Sequence, residues 1–344
     1  MKRALRRVGM LLAVAGGVVF IGYVLSTLQL TTLREHLNVR ALLALMAATL
    51  LYSTIVPLSA LAWKRMLAAM GHRERFMPLL AILLITQAGK YLPGNVGQHV
   101  GRIGLSLRQG IPTQLLVASM AYEVCLLLLA DLLTALGCGS LSGPGLGLLL
   151  RGSGDHAAIV VAAAVALLGI AAIPLLSKVL PRLTAWLMRK RGTAHYAAPA
   201  PLGMRTMAEV VVLYVAAMLF VGAGLTVLAG GLFPAQSHDF ALLTAAFTIA
   251  WAIGFVTPGA PAGLGVREAL LLLMLTQPLG SADASLLILA LRVATTLGDM
   301  LCFVVGLALM PMLRRSGNGT HPAAATASSL PPAQPSDRNS THEP

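Results

Sequence analysis

Six stretches of apolar sequence, each roughly 20 residues or longer, run at about 8–28, 41–63, 114–137, 156–177, 207–231 and 284–310. An α-helix needs about 20 such residues to cross about 30 Å of hydrocarbon, whereas membrane β-strands show short alternating segments. The fold class that follows is an all-α polytopic membrane bundle of about six full crossings. Composition agrees, since 57% hydrophobic and 11% charged residues are too apolar for an ordinary soluble domain. The formal charge of +13 is scattered between the apolar runs, so it reads as a topology signal and not as a nucleic-acid surface. Cys125, Cys138 and Cys302 show no CxxC spacing, and neither a disulfide framework, a metal nor a cofactor is expected.

Cation placement orients the chain. Lys2, Arg3, Arg6 and Arg7 precede the first run, which is long for a signal sequence and has no small-x-small cleavage site, so it reads as an uncleaved helix starting in the cytoplasm. Arg314 and Arg315 follow the last run and place the C-terminal side in the cytoplasm too. Residues 1–315 thus form the membrane domain, and the Ser/Thr/Pro/Ala-rich stretch 316–344 reads as a disordered cytoplasmic tail. Its Asn318 and Asn339 match the glycosylation pattern by chance on that side of the membrane.

Two stretches break the apolar pattern. The first is Gln87-Ala-Gly-Lys-Tyr-Leu-Pro-Gly-Asn-Val-Gly-Gln-His-Val-Gly-Arg102, and the second is Thr257-Pro-Gly-Ala-Pro-Ala-Gly-Leu-Gly-Val-Arg-Glu268. The first is flanked by short helical segments, Met77–Gly89 and Asn95–Leu107; 13 residues make only about 20 Å of helix. A re-entrant hairpin leaving from and returning to the cytoplasm keeps Lys90, Arg102 and Arg108 on the positive side. The second break lies between Phe240–Val256 and Val266–Gln277, and the same reasoning brings it in from the outside. Two interrupted segments entering from opposite faces are the pattern of an inverted-repeat transporter with a site near the midplane. The halves show no residue-level identity, so a non-repeat bundle with two coincidental breaks stays open.

Ionisable residues at membrane depth cost several kcal/mol unless paired or hydrated. Lys90, Arg102, Glu123, Asp131, Arg267, Glu268, Arg292 and Asp299 fall there. Half-helices beginning at Gly94-Asn95 and Gly265-Val266 would present free N–H groups and the positive end of a helix dipole, an anion site. With Lys90, Arg102, Arg267 and Arg292 close by, a phosphate or phosphodiester is the natural guest, and the apolar surroundings favour a lipid. Glu123, Glu268 and Asp299 then act as counter-charges that orient the arginines. Tyr91, Pro93, Gly94, Asn95, Pro258, Gly259, Gly263 and Gly265 complete the candidate substrate-binding set. Simpler readings stand beside these: Lys90 and Arg102 snorkelling to the interface, Arg267–Glu268 and Arg292–Asp299 as structural ion pairs, Asp131 solvated near the outer helix end, His99 bonding between helices, and Gly97-xxx-Gly101 as a packing surface. The sequence holds no HExxH, GxSxG or Walker A motif, and no catalytic residue is assigned.

Lys90-Tyr-Leu-Pro-Gly94 with Gly101-Arg102, together with Pro258-Gly-Ala-Pro-Ala-Gly-Leu-Gly-Val-Arg-Glu268, resembles the lysylphosphatidylglycerol synthase transmembrane-region family. That family includes the flippase-like membrane half of bacterial multiple peptide resistance factors. The resemblance spans about residues 8–313 and implies a lipid-translocating fold in the bacterial inner membrane, with Arg102, Arg267 and Glu268 as the carried-over positions. Members that make aminoacyl lipids have a large cytoplasmic transferase domain, so this chain is expected not to synthesise the lipid. The second break also departs from a simpler Pro-Gly-Gly-like turn.

The leading expectation is a flippase-like transporter for a phosphate-bearing lipid, whether phospholipid, aminoacylated lipid or polyprenyl-linked intermediate. Two alternatives are a non-transporting lipid-binding subunit serving a separate glycosyl- or aminoacyltransferase, and an intramembrane transferase. The partner implied is a membrane lipid, with that separate transferase as a second candidate.

Overall fold

The computed structural model describes residues 38–91, 97–142, 200–257 and 265–317, together with Gly263 and scattered helical positions between Val160 and Trp186. Every regular element among the described residues is helical. In chain order they are α1 (Val39–Ser53), α2 (Ile55–Ala69), α3 (Phe76–Thr86) running into a 3-10 turn (Gln87–Tyr91), α4 (Gly97–Arg108), α5 (Thr113–Leu141), α6 (Met204–Leu232), α7 (Phe240–Val256), α8 (Val266–Leu279) and α9 (Ser281–Gly317). Four spans are long and apolar enough to cross a membrane: Val39–Ala69, Thr113–Leu141, Met204–Leu232 and Ser281–Leu313. The expected helices at 8–28 and 156–177 and the tail after Gly317 lie outside the described residues, apart from those scattered helical positions.

The helices run past the bounds that hydropathy set, because helix ends carry caps that hydropathy does not register. Asn38 opens α1 by accepting the Ala41 amide at 2.9 Å, and Asp239 opens α7 by accepting from Ala241 and Leu242. The expected single helix at 41–63 is two helices joined at Thr54. Pro57 supplies no amide to the Ser53 carbonyl and its ring crowds that oxygen, which breaks the ladder. Cys302 Sγ lies 4.0 Å from the freed carbonyl.

Large apolar side chains point outward along the long spans, among them Leu42, Leu50, Val212, Val304 and Met300. An outer surface of this kind suits hydrocarbon and not water. Inside, the buried apolar residues form two cores. One joins α2, α3 and the N-terminal parts of α5 and α6, reaching Leu313. The other joins α1, the C-terminal part of α6, α7, α8 and the N-terminal part of α9.

Each broken stretch belongs to its own core, and the two come in from opposite ends of the bundle. Gln109, just after α4, donates to the Leu313 carbonyl at 2.6 Å, while Gly306 abuts Ile85 near the end of α3. The open end of the first hairpin therefore lies at the C-terminal end of α9. Gln236, just before α7, donates to Asp283 in the first turn of α9 at 2.8 Å, so the second hairpin opens at the other end. The helical run from Asp283 to Leu313 spans roughly 45 Å at 1.5 Å per residue, and Lys90 meets Asp299 between its ends. The chain is an all-α, multi-pass membrane protein.

Candidate functional site

A cavity of about 150 Å³ lies where the two cores meet. Its wall includes Tyr52 at the end of α1, Lys90 in the 3-10 turn, Arg102 on α4, Glu123 on α5, Trp251 on α7, Arg267 on α8, and Arg292 and Asp299 on α9. All four cations predicted from the breaks thus reach one space, although they come from four separate elements.

Lys90 Nζ donates to Asp299 Oδ1 at 2.6 Å and to Tyr52 Oη at 3.1 Å, and the Tyr52 hydroxyl donates to the same carboxylate oxygen at 3.3 Å. This knot ties the tip of the first hairpin to α9 and to the kink at Thr54. Arg102 Nη1 donates to Glu123 Oε2 at 2.6 Å, and its guanidinium lies 3.9 Å from the Trp63 ring centre. Trp63 is held in turn by its Nε1 bond to Ser119 Oγ at 3.1 Å. A planar guanidinium fits such a sandwich of ring and carboxylate.

The second hairpin is built differently. Gly263 and Gly265 have φ of +71° and +82°, a backbone open to glycine at little cost. The Gly265 amide donates to Glu268 Oε2 at 2.7 Å, and Glu268 Oε1 lies 3.4 Å from Arg292 Nη1. Glu268 therefore caps α8 and anchors α9 at once. Arg267 points the other way, with its guanidinium 4.2 Å from the Trp251 ring centre and 6.0 Å from that of Phe247. Among the described residues it has no ion pair, and its buried Nε finds no acceptor.

Several expectations change. Arg292 and Asp299 are not each other's partners: the α9 face they share meets two different elements, and they pair with Glu268 and Lys90. Glu268 pairs with Arg292 and not with its neighbour Arg267, because adjacent residues leave a helix in different directions. At the N-terminus of α8 the Gly265 amide is already taken, since Glu268 accepts it. Asp131 is not solvated but 1% exposed, and neither carboxyl oxygen has a hydrogen-bond partner; α5 runs ten residues beyond it to Leu141 and buries it below the helix end. Lys90 and Arg102 do not snorkel but turn inward to carboxylates. His99 lines the cavity and contacts Gln98 at 3.3 Å, making no bond between helices. Gly101 is a close-packing position, as a Cβ there would lie 3.1 Å from Thr86.

Of the remaining candidates, Gly263 lines the cavity, and Gly265 is the N-cap of α8 bonded to Glu268. The Tyr91 backbone closes the 3-10 turn, and Pro93, Gly94, Asn95, Pro258 and Gly259 lie outside the described residues. Tyr52 and Trp251 were missed by sequence reasoning. The signals were a Tyr-Ser-Thr run followed by Pro57 within an apolar helix, and a Trp placed mid-helix instead of at an interface.

Helical hairpins that open at opposite ends of the bundle and enclose buried charge define a class, the multi-pass membrane proteins built around an internal polar site. The family model for the lysylphosphatidylglycerol synthase TM region matches residues 10–302, and the chain belongs to that family. Among curated proteins none matches.

Proposed function

We propose that the chain is a flippase-like transporter that moves a lipid with a phosphate-bearing headgroup across the bacterial inner membrane, its N- and C-terminal sides in the cytoplasm. The observation that carries this reading is Arg267: a buried guanidinium in the cavity wall, platformed on Trp251 and without an ion-pair partner among the described residues. A buried charge of this kind is costly until an opposite charge arrives. The translocation path follows the two hairpins, read as re-entrant elements, since Lys90 of the first and Gly263 of the second line the cavity from different ends of the bundle. The headgroup passes between the tips while its chains stay in hydrocarbon. On this reading the chain itself makes no bond in the lipid, and any chemistry on it falls to a separate transferase.

The test is headgroup accessibility in vesicles carrying the purified protein. Translocation of a phosphate-bearing lipid is expected, with loss in Arg102→Ala and Arg267→Ala. Tight lipid binding without movement would favour a lipid-presenting subunit, and an altered lipid on mass spectrometry would favour an enzyme.

A further inference from the structure

Among the described residues of the cavity wall, the fully buried side-chain atoms that lack a hydrogen-bond partner are mostly donors. Among its buried atoms without a partner are Arg102 Nε and Nη2, Arg267 Nε and Trp251 Nε1, all N–H donors, and the Tyr214 hydroxyl. The buried acceptors left open, both oxygens of Asp131 and Gln109 Oε1, are not part of the wall.

Charge tells the same story. Among the described residues, Lys90, Arg102 and Arg292 form ion pairs with Asp299, Glu123 and Glu268 at 2.6, 2.6 and 3.4 Å, while Arg267 forms none and feels Asp131, Glu268 and Asp299 only at longer range. Residues 92–96 and 258–262 contain no ionisable side chain. An incoming ammonium would have to compete for a carboxylate already engaged at salt-bridge distance while sharing a small space with Arg267. A headgroup oxyanion meets, in Arg267, a guanidinium that has no ion-pair partner among the described residues.

Resting on the transport reading, we infer that the site selects lipids by net headgroup charge: it accepts net-anionic phosphodiester headgroups and rejects those made net-cationic by an aminoacyl group. The selectivity residue is Arg267, with Arg102 supplying further donors from the facing hairpin. Phosphatidylglycerol therefore binds and its lysyl ester does not, although the family is named for synthesis of that ester. Free inorganic or glycerol phosphate shares the anionic chemistry but lacks the chains.

The test uses the full-length protein and water-soluble short-chain lipids. Equilibrium binding is measured for short-chain phosphatidylglycerol, its lysyl ester and glycerol 3-phosphate, with thermal unfolding of every variant as a folding control. The wild type is expected to prefer phosphatidylglycerol over the lysyl ester by roughly tenfold or more, the scale of one charge-assisted hydrogen bond. Arg267→Gln should erase most of that preference, and Arg267→Lys should restore a large part of it. Equal or tighter binding of the lysyl ester by the wild type overturns the inference and leaves the transport reading standing. Selective binding without movement of long-chain phosphatidylglycerol in vesicles supports the inference and removes the transport reading. Glycerol phosphate binding as tightly as the lipid would keep charge selection and overturn the lipid as ligand.

Discussion

Replacing Lys90 with Met removes the charge at the tip of the first hairpin while keeping most of the side-chain volume. The side chains of Lys90 and Asp299 are only 12% and 5% exposed and their charged atoms are 2.6 Å apart, so the relevant case is a broken buried pair, which costs about 3–5 kcal/mol. Asp299 is not left bare, because the Tyr52 hydroxyl still donates to it. A hydrogen bond to a charged group contributes about 1.5–3 kcal/mol and offsets part of the loss. The net expectation for Lys90→Met is about 2–3 kcal/mol, or roughly a 30- to 150-fold fall in the folded-to-unfolded ratio. The pair Lys90→Met with Asp299→Leu should recover most of that loss, since a buried ion pair exchanged for apolar groups is often near neutral. The assay is reversible unfolding in lipid-detergent micelles followed by helical circular dichroism, read as a double-mutant cycle. Arg65→Met is the control, as Arg65 and Glu209 are 4.0 Å apart with side chains 58% and 37% exposed, and it should change stability by less than about 0.5 kcal/mol. A Lys90→Met variant as stable as that control, with additive effects in the cycle, would refute the reasoning.

Two glycines on different helices should respond in opposite ways to alanine. A Cβ on Gly306 would meet the Ile85 backbone nitrogen at 2.8 Å, so Gly306→Ala should push the first hairpin off α9 and cost about 1–3 kcal/mol; Gly104 faces open space, and Gly104→Ala should stabilise by up to about 1 kcal/mol through helix propensity. Unfolding midpoints check both. Trp63→Phe keeps a ring under Arg102 but loses the bond to Ser119, so it should lower stability by about 1 kcal/mol and leave anionic-lipid affinity within about threefold, whereas Trp63→Leu removes the platform and should weaken affinity roughly tenfold; titration with short-chain phosphatidylglycerol reads the difference. Asp131→Leu removes a buried carboxyl whose oxygens have no partner and should stabilise the protein by about 1–3 kcal/mol; a loss of more than about 1 kcal/mol in unfolding experiments would show that Asp131 is paired in the membrane.

The described long spans were legible in the sequence because membrane depth leaves few options for about 20 apolar residues, and the short helices flanking each break were legible from the interruptions in the apolar pattern. Cation placement also put the two hairpins at opposite ends, which agrees with their contacts to the two ends of α9. Pairing among charges was not legible. Spacing puts Arg292 and Asp299 on one helix face, but which element meets each half of that face depends on how α3 and α8 pack against α9. The role of Glu268 was half visible, since its position three residues after Gly265 suits a cap, yet its second partner comes from another helix. Asp131 was misplaced because hydropathy underestimates how far α5 continues past it. Tyr52 reaches the cavity through the Pro57 kink, whose direction no one-dimensional pattern contains.

The central claim is that an anionic lipid headgroup occupies the cavity between the two hairpins. Photoreactive residues placed singly at Met120, in the cavity wall, and at Leu132, 40% exposed on the outer surface of α5, test it in native membranes. Mass spectrometry of the adducts should show a phosphate-bearing, net-anionic lipid at position 120 that short-chain phosphatidylglycerol displaces, and bulk lipid that it does not displace at position 132. Absence of a displaceable lipid adduct at position 120, with ordinary labelling at position 132, would contradict the account.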